Sequence, residues 1–377
     1  MKDSNETPTT SRRATGFHRM RVSAVDKLTD DAVAITLDVP EHLTDAFTHR
    51  AGQHLTVRHF LGGPDGKEIR RSYSICTPPN RSQDPASGLR LVVKRLGDGG
   101  FGEYALTSLG AGDTLVVGPP AGGFRLAEQP GAHHVLVAGG SGITPLLSMA
   151  AAALRDDPTC RVSMVYANQT SMSVLLADEL ADLKDGYVDR FFLLNVLSQE
   201  SQGATLLSGR IDTARLPRLL ELLGAEPDDS THFYLCGPGG LVEAVRTTLT
   251  EWGADPRRVR LELFTTDGEP AGPSPEPVDR NTPAARARVT ARLGGRTTVF
   301  PMEPEDDVIL DAVLRARPET PYSCRDGLCG TCRARVVCGT VRMDRQYALG
   351  QDELDRGYTL ACRARAVSAQ IELDFDA

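Results

Sequence analysis

The sequence predicts a multidomain protein: an antiparallel β-barrel, then an α/β domain built on a parallel sheet, then a small α+β domain. Three observations lead there. The chain has 377 residues, more than one hydrophobic core ordinarily covers. Residues 17 to about 126 carry short alternating apolar runs between Gly, Pro and Asp turns, whereas from Ala132 onward strand-length apolar runs alternate with helical patterns; the first pattern belongs to antiparallel barrels and sandwiches, the second to parallel sheets. Residues 266–284 hold five prolines and no apolar periodicity, as in an extended linker. The predicted organisation is a disordered tail over 1–16, a barrel over 17–126, an α/β domain over 127–265, a linker over 266–284 and a third domain over 285–377.

In the barrel, strands are expected at residues 32–37, 54–57, 89–93 and 114–117. In the α/β domain they are expected at 133–140, 160–167 and 232–238. Helices should follow at 144–154, 173–185 and 239–252, the first with Pro145 at its N1 position. Residues 129–154 contain no charge, yet a membrane span is rejected, because paired histidines, Gly139, Gly140, Gly142 and Thr144-Pro145 break the segment into strand, turn and helix start. Apolar residues at 40% and charged residues at 24% indicate a chain that buries a core. A net charge of −8 disfavours nucleic-acid binding. From residue 283 onward 14 Arg balance 14 Asp and Glu, so the negative charge lies upstream of the third domain. The polar N-terminal segment lacks a secretory apolar stretch, and the cytoplasm is the expected location.

Five of the eight cysteines crowd the last part of the chain. Cys324, Cys329 and Cys332 follow C-x4-C-x2-C, the spacing of plant-type [2Fe–2S] ferredoxins. Gly327 and Gly330 let that loop fold close and turn N–H groups toward the sulfurs, with Tyr322, Ser323 and Leu328 as shields against water. A structural zinc site is the competing reading. Cys362 and Cys338 compete for fourth ligand, Cys338 reading as a small buried hydrophobe within a strand.

Residues 321–343 and 357–366 carry a resemblance to the plant-type ferredoxin domain, a β-grasp fold, over the whole final ninety residues. That resemblance selects Cys362 to complete the set Cys324, Cys329, Cys332 and Cys362. The domain departs from free-standing ferredoxins in being neutral, with Arg325, Arg333, Arg335, Arg363 and Arg365 near the ligands.

Upstream, Val135 to Ala138 run into Gly139-Gly140-Ser141-Gly142-Ile143-Thr144-Pro145, a strand, glycine turn and helix start that leaves N–H groups free for a pyrophosphate. Arg71-Ser72-Tyr73-Ser74 ends a barrel strand, and Cys236-Gly237-Pro238 ends a later parallel strand, where ligand sites of open α/β sheets collect. Taken in order, these motifs resemble the ferredoxin–NADP reductase family of flavoproteins. With the ferredoxin domain appended, the chain is similar to reductase components of multicomponent oxygenases, of phenylacetyl-CoA and ketosteroid hydroxylase type.

The resemblance implies FAD, NADPH or NADH, and a [2Fe–2S] cluster. Arg71 would pair with the FAD pyrophosphate, with Ser72 beside it, Tyr73 would stack on the isoalloxazine and Ser74 would lie near N5. Lys94 and Gly99-Gly100-Phe101-Gly102 would run along the ribityl and phosphates, Gly102 standing where many relatives have Ser or Thr. Gly140, Gly142 and Thr144, with Gly237 and Pro238, would cradle the nicotinamide dinucleotide. Cys236 would aim the hydride, and Glu262 and Phe264 match the closing segment in which an aromatic covers the flavin. Gln169 supplies neither the cation that holds a 2′-phosphate nor the acid that rejects one. The expected partner is an oxygenase or other electron-acceptor protein, a hybrid-cluster protein among them, the chain acting as a monomer; the alternative class is a redox sensor.

Overall fold

The computed structural model describes residues 16–63, 66–79, 88–264, 287–344 and 346–377. The tail expected over 1–16 lies, but for Gly16, outside the described residues, and so does the linker expected over 266–284.

Six antiparallel strands form the first sheet: β1 (His18–Thr29), β2 (Ala32–Asp38), β3 (His54–Leu61), β4 (Lys67–Ser74), β5 (Leu89–Lys94) and, after helix α1 (Gly100–Thr107), β6 (Thr114–Val117). Their order is β4-β3-β6-β1-β2-β5. A bridge between Ile75 and Leu91 joins the two ends and closes the barrel. Alternate residues point inward, so Met20, Val22, Ile35, Leu37, Leu55, Val57, Leu91 and Val93 fill the interior, and α1 plugs it with Phe101 and Ala105. The longest strand, β1, was not apparent in the sequence because polar residues interrupt its apolar alternation.

The second sheet is parallel: β7 (His133–Gly139), α2 (Ile143–Asp156), β8 (Arg161–Asn168), α3 (Ala177–Gly186), β9 (Phe191–Leu197), α4 (Arg215–Leu222), β10 (Thr231–Gly237), α5 (Gly239–Glu251) and β11 (Val259–Leu263). In the order β11-β10-β7-β8-β9 the winding reverses between β7 and β10, and a crevice opens there beyond the strand ends. Both strands are buried along their whole length, which explains their unbroken apolar reading. Two expectations are corrected. A 3₁₀ turn over Gly140–Gly142 precedes α2, so Pro145 is its third residue rather than N1. The helix expected from 173 begins only at Ala177, because Leu176 adopts a left-handed backbone with φ +56°.

The third sheet combines β12 (Arg288–Leu293), β13 (Arg296–Pro301), β14 (Arg333–Cys338), β16 (Tyr358–Leu360) and β18 (Gln370–Asp374) in the order β13-β12-β18-β14-β16; β15 (Val341–Met343) pairs with β17 (Ala364–Ala366). Helix α6 (Ile309–Ala316) lays Ile309, Leu310, Ala312 and Val313 on the sheet, and short α7 (Gln351–Asp355) precedes β16. Cys338, expected to be buried, is exposed: the pairing of β14 with β18 slips between Val336 and Cys338, which turns the last residue outward. No helix among the described residues is long and apolar enough to cross a membrane.

Candidate active site

The crevice is built from two glycine turns packed on each other. A Cβ on Gly142 would lie 2.2 Å from the Cys236 carbonyl oxygen, and one on Gly139 would lie 2.6 Å from the Leu241 side chain. Gly142 is therefore fixed by close backbone approach. Gly140, at φ +51° with nothing within 4 Å of its Cβ position, faces open space. Tyr166, fully buried on β8, donates its hydroxyl to the Gly140 carbonyl at 3.1 Å and braces the turn. Thr144 is buried in the first turn of α2 and bonds the Ser141 carbonyl at 3.0 Å. Gly237 and Pro238 close the opposite side, where the Phe264 N–H meets the Gly237 carbonyl at 3.5 Å.

The barrel meets this crevice with the end of β4. Register with β3 pairs Tyr73 with Leu55 and Ser74 with His54, so the strand's alternation places Arg71 and Tyr73 on one face and Ser72 and Ser74 on the other. Tyr73 packs 5.6 Å from the Phe101 ring, and the Phe101 side chain itself is buried in the barrel core. Gly99 and Gly100, at φ +77° and +75°, have open space around them. Gly102 presses on β5: its Cβ would stand 3.1 Å from Arg95 Cα and 3.2 Å from the Lys94 carbonyl, a spacing that favours glycine over serine or threonine. Lys94 is engaged by Asp31 at 3.2 Å. Arg71 is exposed and donates to the Arg70 carbonyl at 3.2 Å.

Ser74 faces a buried carboxylate, donating from Oγ to Glu262 Oε2 at 3.3 Å. Glu262 is the register partner of Cys236. Burial, reinforced by the Glu262 charge, holds the Cys236 thiol well above its usual range, so it stays protonated. Here the structure adds a residue that the sequence did not single out. His54 is buried, its Nδ1 stands 3.8 Å from Glu262 Oε1, and its Nε2 bonds Thr331 Oγ1 at 2.9 Å. Burial alone would lower the His54 pKa, but Glu262 and Cys329 outweigh it and raise it. Nothing in its local sequence marks His54; its partners lie 208 and 277 positions along the chain.

Thr331 belongs to the cysteine loop. Cys332 and Cys362 are buried, Cys324 and Cys329 half-buried. The thiols interact in sequence: Cys324 with Cys329 and with Cys362, and Cys362 with Cys332. Gly327 and Gly330 are both left-handed, at φ +74° and +70°. The N–H groups of Asp326 and Leu328 point at Cys324 Sγ at 3.4 Å. Four soft donors with N–H groups aimed at sulfur suit an iron–sulfur cluster, and Leu328 and Ser323 cover them. Among the described residues no three His, Cys, Asp or Glu surround a single metal ion.

Residues 136–247 match the family model for an oxidoreductase NAD-binding domain, and residues 291–367 that for a 2Fe-2S iron-sulfur cluster binding domain. The chain is 38% identical over 367 residues to a subunit of 1,2-phenylacetyl-CoA epoxidase from Escherichia coli (strain K12), covering 96% of this chain and 99% of that one. It is 32% identical to the ferredoxin reductase component of 3-ketosteroid-9-alpha-monooxygenase from Rhodococcus rhodochrous, covering 94% and 96%. Phthalate dioxygenase reductase, whose structure is described as modular for electron transfer from pyridine nucleotides to [2Fe–2S], shares the fold at 24% identity and a TM-score of 0.54, over 96% of this chain and 98% of that one.

Proposed function

The chain belongs to the ferredoxin–NADP reductase family, as a reductase with a C-terminal 2Fe-2S domain, and on that premise we propose how its residues serve electron transfer and which acceptor they serve. It is an oxidoreductase that uses NAD(P)H, FAD and a [2Fe–2S] cluster. Bound in the barrel, the flavin supplies the conversion of a two-electron hydride donor into single electrons for the cluster.

The observation that carries the assignment of roles is the meeting of Ser74, Cys236 and Glu262 at the switch point between barrel and parallel sheet. Gly140 and the glycine turn ahead of α2 receive the dinucleotide phosphates. Cys236, kept protonated, presents an uncharged sulfur to the nicotinamide, and Ser74, bonded to Glu262, fixes a donor at the flavin edge. Arg71 offers its guanidinium to the pyrophosphate. Tyr73, already packed on Phe101, provides an aromatic face, and Phe264 stands at the end of β11 to cover the ring system. Gly99 and Gly100 give backbone access to the phosphates; Gly102 serves packing. Cys324, Cys329, Cys332 and Cys362 ligate the cluster. Glycine turns and thiols explain one another only as a relay.

The acceptor is the oxygenase component of a multicomponent monooxygenase of phenylacetyl-CoA type, a reading supported by the full-length similarity to the epoxidase polypeptide. All eight cysteines are free, in keeping with a reducing cytoplasm, and the protein is read as a monomer. The test is NAD(P)H oxidation by the purified holoprotein with ferricyanide or cytochrome c, beside the visible spectrum and acid-labile sulfide. Steady turnover is expected from a coloured, sulfide-containing protein; a colourless zinc protein, or one without turnover, overturns the assignment.

A further inference from the structure

The flavin-side residues and the cluster loop are connected by a chain of polar contacts through a single histidine. Ser74 reaches Glu262 at 3.3 Å, Glu262 faces His54 at 3.8 Å, His54 bonds Thr331 at 2.9 Å, and Thr331 Oγ1 stands 3.2 Å from Cys329 Sγ. The four segments come from the end of β4, from β11, from the start of β3 and from the cysteine loop, so His54 touches the parallel sheet on one side and the cluster domain on the other. The chemistry of the donors is consistent along its length. With His54 carrying its proton on Nε2, the imidazole donates to the threonine oxygen and the single hydroxyl proton of Thr331 is available to the sulfur.

The backbone around His54 is shaped for it. Gly122, at φ +104°, lies against the ring, and a Cβ there would come within 2.9 Å of Nδ1. The same glycine meets the cysteine loop, its Cα 3.9 Å from the Cβ position of Gly330. Two left-handed glycines therefore bring barrel and cluster loop into backbone contact beside the His54–Thr331 bond. Arg70, 4.0 Å over the Tyr322 ring, holds a second point of the seam.

We propose that His54 is the positioning residue that seats the cluster loop on the flavin barrel, fixing the separation across which electrons pass from flavin to cluster. This rests on the assignment of flavin and cluster made above. The electron transferred leaves reduced flavin and enters the oxidised cluster; His54 forms and breaks no covalent bond. A donor to the threonine that contacts a cluster ligand also bears on the cluster's electronic surroundings, because hydrogen bonds near the sulfurs set reduction potential. Electron transfer slows as the separation of its partners grows, so a loosened seat for the cluster loop slows the flavin-to-cluster step.

The test uses the full-length holoprotein and four variants: His54→Phe, which keeps an aromatic ring and removes the donor; His54→Gln, which restores an N–H donor; Thr331→Val, which removes the acceptor; and the double variant His54→Phe/Thr331→Val. Stopped-flow absorbance separates flavin reduction by NAD(P)H from the flavin-to-cluster step, and hydrogen–deuterium exchange reads residues 118–124 and 327–333. His54→Phe and Thr331→Val should each slow the flavin-to-cluster step severalfold and raise exchange in both segments. The double variant should be no slower than the worse single one, and His54→Gln should recover most of the loss. Additive losses, an unaltered flavin-to-cluster step, or exchange equal to that of the parent would overturn the proposal. A parent protein showing no NAD(P)H-dependent bleaching at all would instead refute the flavin and cluster assignment.

Discussion

One methyl group at position 142 would collide with the Cys236 carbonyl at 2.2 Å, whereas one at position 140 would meet nothing and suffer only from φ +51°. Gly142→Ala should therefore cost about 1–3 kcal/mol as overpacking and raise the KM for NAD(P)H, because both turns must part. Gly140→Ala should cost about 1–2 kcal/mol with a smaller effect on KM. Thermal melts and initial rates check both, and equal costs would show that packing of the two turns is not what fixes Gly142. The cysteines divide as plainly. Cys362 is buried beside Cys324 and Cys332, while Cys338 is exposed at the end of β14. Cys362→Ser should abolish the cluster's visible absorbance and iron content, and Cys338→Ser should leave both intact. The reverse outcome would exchange the fourth ligand.

At the scale of elements, the N-terminal ends of β7 and β10 carry three buried histidines. Burial pushes His133, His134 and His232 down to about 4, helped at His133 by Arg161, at His134 by His232 and His133, and at His232 by Arg258 and Arg260. The Arg258 guanidinium stands 3.1 Å from His232 Nε2, so a second positive charge on the ring would be repelled. In an unfolded chain these rings titrate near ~6.5. Between that value and about 4 the unfolded state binds more protons than the folded one, so stability falls as pH falls through this window and is fully present above it. The thermal midpoint should drop by about 5 °C or more from pH 7.5 to pH 5, and His134→Phe should flatten the decline. A midpoint constant over that range would mean the rings are not held neutral. This property was not legible in the sequence, where the paired His133 and His134 served only to break an apolar run; their shared burial arises from the parallel register that sets β10 beside β7.

At the scale of the molecule, the seam between barrel and parallel sheet is held by Arg90 and Glu179, by the Ser148 hydroxyl on the Thr77 carbonyl at 2.8 Å, and by the Arg260 guanidinium on the Arg125 carbonyl at 2.7 Å. The cluster domain is attached by the His54 and Arg70 contacts, His54 on Thr331 and Arg70 over the Tyr322 ring. Tyr322→Ala should loosen this attachment without altering flavin reduction, raising exchange in residues 327–333 and slowing reduction of cytochrome c severalfold; an unchanged rate would remove Tyr322 from the seam. The architecture and the first three candidate ligand cysteines could be read from the chain because they depend on local spacing: C-x4-C-x2-C encodes a loop, alternation encodes a strand, and Gly139 to Pro145 encode a turn into a helix. Glu262 and Phe264 were visible only as a matching strand, and Gly102 only as a departure, until α1 was seen packed against Lys94 and Arg95. His54 and Thr331 had no local signal, since their meaning is a contact between residues 277 positions apart. The sequence by itself determined the fold class and offered three donors in C-x4-C-x2-C, because both rest on short-range periodicity and chemistry, whereas the fourth donor, Cys362, came from the family resemblance. Only the tertiary structure decided which polar groups are buried together at the meeting of three sheets, because desolvation and hydrogen bonding there depend on long-range packing.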